Sequence, residues 1–348
     1  MTIEELKRIQ LYRQHLSMPA DKITVVRDLC GLQCQFMANA YHSLRIRCAD
    51  DPDPDCWGEG LVKNWSLRGT VHVFAEEDLP LFKYDDGFYR SERWLGVTDH
   101  GRPWVSPQRE RFFADYIVQS VAAGIETRDD LRNACRSVGM TLTEESFIFN
   151  GWGGLLRPLC ERGFLTYKVQ EKKAFAIAPE YVPMPKKEAL TEQMRRYLTH
   201  IAPATLRDIA YFFGCSQTYV KQILQTLPVQ SFSLDGAEYF YMGELNGNYP
   251  PIPGCVFLAG FDQLMLGYEK KHSKYLPQEY LRGIFNLAGI VMPGLLLNGS
   301  IAGRWKRKNK KLEIICFRTI TLKEKKAIKD KAQSIWRNDL KTIQYLAL

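Results

Sequence analysis

Gln33 and Gln35 stand one residue apart in LCGLQCQFM, just after Gly31. Glutamine does not titrate, so the pair supplies neither acid nor base. Each side chain brings a carbonyl acceptor and an NH₂ donor, enough to hold and orient a water molecule or a sugar hydroxyl. Whether the two act together depends on the backbone. On a helix, residues two apart project about 200° from one another, whereas in an extended segment they share a face. A helix ending at Cys30 with Gly31 beyond it predicts that residues 32–35 are non-helical. Both amides would then lie on one face, with Leu32, Cys34 and Phe36 turned into the core. Two glutamines bonded to nearby backbone would give the same pattern.

RGTVHVF places Arg68, Thr70 and His72 in alternation with Val71 and Val73. As a strand, the three polar side chains share one face and could hold a phosphate or a sugar, with His72 donating a hydrogen bond. An ordinary solvent-facing strand alternates in the same way. The densest basic run is RWKRKNKK, Arg304 to Lys311, and further lysines and arginines are spread through Arg102 to Arg111, Arg195 to Arg207 and Lys323 to Lys331. A net charge of +8 permits a polyanionic partner without requiring one.

The elements that must position these residues fit a chain of 348 residues, long enough for two or three domains. An apolar fraction of 45% and a charged fraction of 25% are those of a soluble globular protein, and no apolar run is long enough to span a membrane. MTIEELKRIQLYRQHL reads as a structural helix, Ile3 to Leu16, rather than a signal peptide, so a cytoplasmic protein is expected. The nine cysteines are irregularly spaced, and Cys30 and Cys34 have no second pair to complete a zinc site. Reduced thiols are expected, with no metal and no cofactor.

The fold class expected is α+β: three tandem winged-helix units followed by a β-rich C-terminal domain, with boundaries 1–90, 91–182, 183–248 and 249–348. In the first unit, helices at Ile3 to Leu16, Ile23 to Cys30 and Phe36 to Arg47 precede a helix around Gly60 to Ser66 and the strand RGTVHVF. In the second, Pro107 to Ala123 and Thr127 to Ser137 read as helices, FIFNGWGGLLRPLCERG as a third, and FLTYKVQEKKAFAIA as a two-stranded wing. In the third, ATLRDIAYFFGCSQTYVKQIL is a helix-turn-helix: Gly214 ends one helix, Ser216 caps the next, and Val220, Ile223 and Leu224 form a buried stripe. VQSFSLDG and AEYFYMGE follow as a hairpin turning at Asp235-Gly236. Beyond Pro253, LNGSIAGRW predicts a hairpin at Asn298-Gly299. RKNKK is placed at a tip between strands ending at Trp305 and starting at Leu312, and a terminal helix spans Leu322 to Asp339. A helix-turn-helix can also be a purely structural core.

These segments together resemble the AlkZ-like family of bacterial winged-helix DNA glycosylases, over nearly the whole chain. GLQCQ is similar to that family's glutamine-apolar-glutamine signature, WSLRGTVHVF to its tryptophan, arginine-glycine-threonine and histidine stretch, GFDQLMLGY to its aspartate-bearing C-terminal segment, and LLLNGSIAGRW to its late hairpin. Where the family reads proline-phenylalanine-aspartate, this chain has Gly260-Phe261-Asp262, and a later basic position is diluted into EKKHSK; the local role of Asp262 is therefore left open. The resemblance implies a monofunctional glycosylase acting as a monomer on duplex DNA that contains damaged bases, in the bacterial cytoplasm at the nucleoid, and excising alkylated nucleobases, bulky adducts or interstrand crosslinks.

Two amides suffice for such chemistry when the leaving group is primed. Glycosidic cleavage passes through an oxocarbenium-like state and ordinarily requires an acid at the leaving group. An N7-alkylpurine is already cationic and departs neutral. What remains is to hold a water against C1′, a task assigned to Gln35, with Gln33 on the same water or on the deoxyribose. No lysine stands in an evident Schiff-base setting, so no lyase activity is expected. Candidate DNA contacts are Arg157, Lys221, Gln222, Lys306, Arg307, Lys308 and Lys310, each equally explained as a solvated side chain. The alternative functions are a noncatalytic winged-helix DNA-binding protein, such as a transcriptional regulator, and a protein-interaction module.

Overall fold

The computed structural model describes residues 1–53, 55–85 and 104–347. Arg102 and the expected boundary at residues 90 and 91 lie outside them. The chain divides into two compact units, one formed by Met1–Trp57 with Thr191–Leu348 and the other by Gly58–Leu190.

In the first segment, α1 (Ile3–Arg13) opens on a capping box between Thr2 and Glu5 and buries Leu6, Ile9 and Leu11. Asp21 caps α2 (Lys22–Asp28), which ends short of Cys30. Cys30 and Gly31 both have left-handed backbone, φ 55° and 85°, and this reverses the chain into β1 (Leu32–Gln33) before α3 (Met37–Arg45).

The 58–190 unit corrects the expected helix at Gly60–Ser66. Residues Leu61–Trp65 form β2, paired antiparallel with β3 (Val71–Ala75). So short a run takes the conformation that supplies it with a partner strand, whatever its local preference. The expected strand from Arg68 is also corrected: Leu67–Gly69 is a 3₁₀ turn with Arg68 at φ 56°, and the strand begins at Val71. Helices α4 (Leu79–Phe82), α5 (Pro107–Ala122), α6 (Arg128–Ser137), α7 (Leu142–Ile148) and α8 (Leu156–Glu161) follow, then β4 (Leu165–Tyr167) and β5 (Phe175–Ile177). α7 was not expected, although its capping box, Thr141 with Glu144, is a sequence-level signal. The single helix expected across FIFNGWGGLLRPLCERG is broken at Asn150, whose Oδ1 accepts from the Trp152 and Gly154 amides. Within the unit the strands run in the order β3-β2-β4-β5, and Phe113, Ile117, Leu131, Ile148, Leu159 and Phe175 fill the core.

From α9 (Lys186–His200) the chain passes through β6 (Ala204–Thr205), α10 (Leu206–Phe213), α11 (Gln217–Leu224), β7 (Gln230–Leu234) and β8 (Ala237–Tyr241). The local signals hold: Gly214 terminates α10 with φ 63°, Ser216 accepts from the Tyr219 amide, and Asp235 and Gly236 turn the hairpin with φ 50° and 73°. Strands β6, β8 and β7 form a three-stranded sheet in that order, following the α10–α11 helix-turn-helix along the chain.

The remainder holds β9 (Cys255–Phe257), α12 (Gln263–Leu266), α13 (Leu281–Ile284), β10 (Gly294–Leu297), β11 (Ser300–Lys308), β12 (Lys311–Cys316), α14 (Leu322–Trp336) and β13 (Thr342–Ala347). These five strands form a sheet in the order β13-β12-β11-β10-β9. Asn298 and Gly299 make the expected turn, with φ 49° and 75°. The basic run differs from expectation, because β11 continues to Lys308 and β12 starts at Lys311, leaving only Asn309 and Lys310 at the tip. α14 ends at Trp336 rather than Asp339, and β13, unforeseen, pairs parallel with β12. The chain is α+β. No helix among the described residues is long and apolar enough to cross a membrane.

Candidate active site

The left-handed step at Cys30 and Gly31 takes the backbone out of α2 and lays residues 32–35 in non-helical conformation. Gln33 and Gln35 consequently share a face, with Gln33 Nε2 3.5 Å from Gln35 Oε1, the outer limit of a hydrogen bond. Leu32 and Cys34 are buried on the other side. The pair is asymmetric: Gln33 is 7% exposed and Gln35 open to solvent. Phe36 departs from the expected inward position, at 54% exposure, and stacks on Phe261 at a centroid distance of 6.2 Å. The alternation breaks there because Phe36 is the residue that turns into α3.

Three residues that sequence reasoning did not assign, Gln263, Arg47 and His42, bond residues 29–47 to residues 257–263. Gln263 donates from Nε2 to the Leu29 carbonyl at 2.5 Å and to the Gly31 carbonyl at 3.1 Å. Arg47, fully buried beyond α3, forms a two-pronged ion pair with Asp262 at 2.7 and 3.0 Å. Asp262 also accepts from the Leu264 amide and so caps α12, the helix that begins with Gln263. His42, in α3, donates from Nε2 to the Phe257 carbonyl at 2.7 Å and packs against both Trp305 and Trp336, which also touch one another. Burial lowers its pKa to about 4 against the opposing effect of that carbonyl. Asp262 is therefore an anchor: it ties the sheet's leading segment to the helix that follows the glutamines. The hint in the sequence was the adjacency of Asp262 and Gln263, two polar residues inside an apolar run.

Arg68, Thr70 and His72 belong to the other unit. His72 is fully buried rather than presented on an open strand face. Its Nδ1 donates to the Thr70 carbonyl at 3.2 Å, which leaves Nε2 as the acceptor facing Arg68 Nη2 at 3.4 Å. Burial, and then the neighbouring guanidinium, lower the His72 pKa to about 3. The ring is neutral and orients Arg68. Arg157, on α8, pairs with Glu161 at 2.8 Å and lies 4.2 Å over the Trp65 ring.

Lys221 and Gln222 are exposed on α11. Along the C-terminal hairpin Lys306 pairs with Glu313 at 2.8 Å and Arg307 reaches Asp339 at 3.8 Å, while Lys308 and Lys310 have no ion pair among the described residues.

The α+β chain, with its helix-turn-helix, basic hairpin and paired-amide segment, falls by its family match in the class of DNA glycosylases. Residues 26–337 match the family described as DNA glycosylase AlkZ-like, and the chain belongs to that family. An interstrand DNA cross-link repair glycosylase of Streptomyces sahachiroi is 23% identical over 334 residues, covering 90% of this chain and 89% of the relative. The solved structure of Streptomyces sahachiroi DNA glycosylase AlkZ superposes with a TM-score of 0.78 at 21% identity, over 100% of both chains, and shares the fold.

Proposed function

We propose that this protein is a monofunctional DNA glycosylase that hydrolyses the N-glycosidic bond of alkylated nucleobases, with N7-alkylpurines and crosslinked adducts as the substrate class, and that Gln33 and Gln35 position the attacking water. The observation that carries this reading is the donor–acceptor pair made by Gln33 Nε2 and Gln35 Oε1 on non-helical backbone. Gln35, open to solvent, accepts a hydrogen bond from the water through Oε1 and so turns a lone pair of the water oxygen toward C1′, and the proton that this water loses on attack passes to bulk solvent. Gln33, beneath it, donates from Nε2 to the water or to the sugar. Neither residue takes up a proton in the range where proteins are stable, so the leaving group must depart without help. A cationic N7-alkylpurine does so, and uracil does not.

Arg68, oriented by neutral His72, is the candidate phosphate ligand of the other unit. Exposed Lys221, Gln222, Lys308 and Lys310, with Arg157, Lys306 and Arg307 once exchanged from their carboxylates, supply further backbone contacts. Three tandem winged helices fit the helix and hairpin order along the chain, and a single copy suffices for a lesion enzyme in the cytoplasm. The reading is tested by incubating duplex DNA containing N7-methylguanine with the protein and detecting abasic sites. Gln33→Ala and Gln35→Ala should each slow excision about tenfold or more with DNA affinity retained. Unchanged rates in both variants would remove the assignment.

A further inference from the structure

α14 packs through Ile328, Ala332, Ile335 and Trp336, all buried, and its outer face carries Lys325, Lys326 and Lys329. Residues four apart on a helix stand one above another, so Lys325, Lys329 and Gln333 make a single stripe with about 6 Å of rise between the two lysines. That stripe lines a groove of about 450 Å³ whose other wall is β13, with Lys341, Ile343 and Tyr345. Lys325 lies 5.3 Å from the Tyr345 ring centroid.

Two observations point to what fills it. The first is charge: Lys325, Lys326, Lys329 and Lys341 are exposed and make no ion pair with a carboxylate among the described residues, whereas Lys306 and Lys311 of the hairpin share Glu313 at 2.8 and 3.0 Å. The carboxylate of α14's first turn, Glu324, is taken by Arg318 at 2.6 Å. The second is continuity: the Lys341 amide donates to the Lys310 carbonyl at 2.8 Å, so the groove opens onto the hairpin tip. β13 runs parallel to β12 from that tip, and Lys325 meets Tyr345 at its far end.

We propose that the groove between α14 and β13 binds the phosphate backbone of duplex DNA, extending the grip of the hairpin tip from Lys308 and Lys310 through Lys341 to Lys329, Lys326 and Lys325. The inference rests on the reading of this chain as a DNA-binding enzyme. One strand presents a charge about every 3.4 Å along the duplex axis, so the stripe spans about two successive phosphates, and Lys341 a third. Lysine is suited to such contacts because it meets a phosphate as a point charge on a flexible stem, without reading the base. The groove sets how firmly flanking duplex is held and leaves the chemistry to the glutamines.

The test is a salt titration of binding to undamaged duplexes of about one and about three helical turns, with the Lys325→Gln/Lys326→Gln/Lys329→Gln variant beside wild type. On the long duplex the variant should bind about tenfold or more weakly at low salt, and the slope of log affinity against log salt should flatten by about 2 to 3. On the short duplex the two should match, and the corresponding arginine variant should behave as wild type. A single Lys341→Glu substitution should weaken long-duplex binding in the same direction. Unchanged affinity and slope on the long duplex would overturn the proposal. So would a loss confined to phosphatidylserine vesicles, which would assign the groove to an anionic membrane surface. Binding is read without base excision: long-duplex binding that needs these lysines, in a protein inactive on N7-methylguanine, would retain the groove and remove the proposed chemistry.

Discussion

Gln263 Nε2 stands 3.1 Å from the carbonyl oxygen of Gly31, the left-handed residue from which the chain enters the glutamine segment. The same nitrogen serves the Leu29 carbonyl, so one side chain from a distant part of the sequence holds both sides of the chain reversal. Replacing it by leucine would leave two buried carbonyls without that donor, a cost of about 1–3 kcal/mol. Gln263→Leu should lower urea stability by that order. It should also slow excision of N7-methylguanine while leaving DNA affinity near wild type, and a variant that loses affinity and keeps its turnover rate would contradict the positioning role.

The amide pair itself makes a pH prediction. Neither glutamine titrates, so the excision rate of the wild type should show no ionisation from this pair. If residue 35 faces C1′ as proposed, Gln35→Glu places a carboxylate there and should add an acid limb to the pH–rate profile near an ordinary glutamate value of about 4.3. The measurement is single-turnover excision against pH, and superimposable profiles for the two proteins would show that residue 35 stands away from the reacting centre.

Arg47 and Asp262 form a fully buried pair, and removing one partner leaves the other charge without compensation. Asp262→Leu alone and Arg47→Met alone should therefore each destabilise the fold by about 3–5 kcal/mol, whereas the two combined should recover most of the loss. Denaturant unfolding of the two single variants and the double variant checks this. Additive losses in the double variant would show that the ion pair does not couple them.

His42 and His72 are held neutral by burial, with pKa values of about 4 and about 3 against 6.5 for the free side chain. Below about pH 6.5 the unfolded chain takes up protons that these buried rings do not, so stability falls as pH is lowered. The decline is about 1.4 kcal/mol per pH unit for each histidine until its folded pKa is reached. Urea unfolding between pH 7 and pH 4.5 should show this slope, and His42→Gln with His72→Gln should reduce it; a wild type whose stability is flat over that interval would refute it.

The turns were legible because their causes are local. Asp235-Gly236 and Asn298-Gly299 adopt left-handed φ where only glycine and short polar residues do so at low cost, and Gly214 with Ser216 ends one helix and starts another within a few bonds. Gln33 and Gln35 belong to the same class, since the reversal at Gly31 dictates that both project to one side. The strands that differ from expectation are those whose conformation is set by the partner they pair with, near or far along the chain. Residues 61–65 are a strand because Val71–Ala75 lies beside them, and β13 exists because β12 has a free edge.

By itself, then, the sequence determined the α+β class, the turn positions and the amide pair, consequences of short-range backbone chemistry or of composition, while its motifs carried the resemblance to the family. The tertiary structure alone decided that His72 is interior and neutral, that Asp262 is an anchor for Arg47, and that Gln263 props up the segment carrying Gln33. It also decided that the lysines of α14 line a groove continuous with the hairpin tip. Burial and ion pairing depend on which residues the folded chain brings within a few ångströms, and spacing along a sequence carries no record of that.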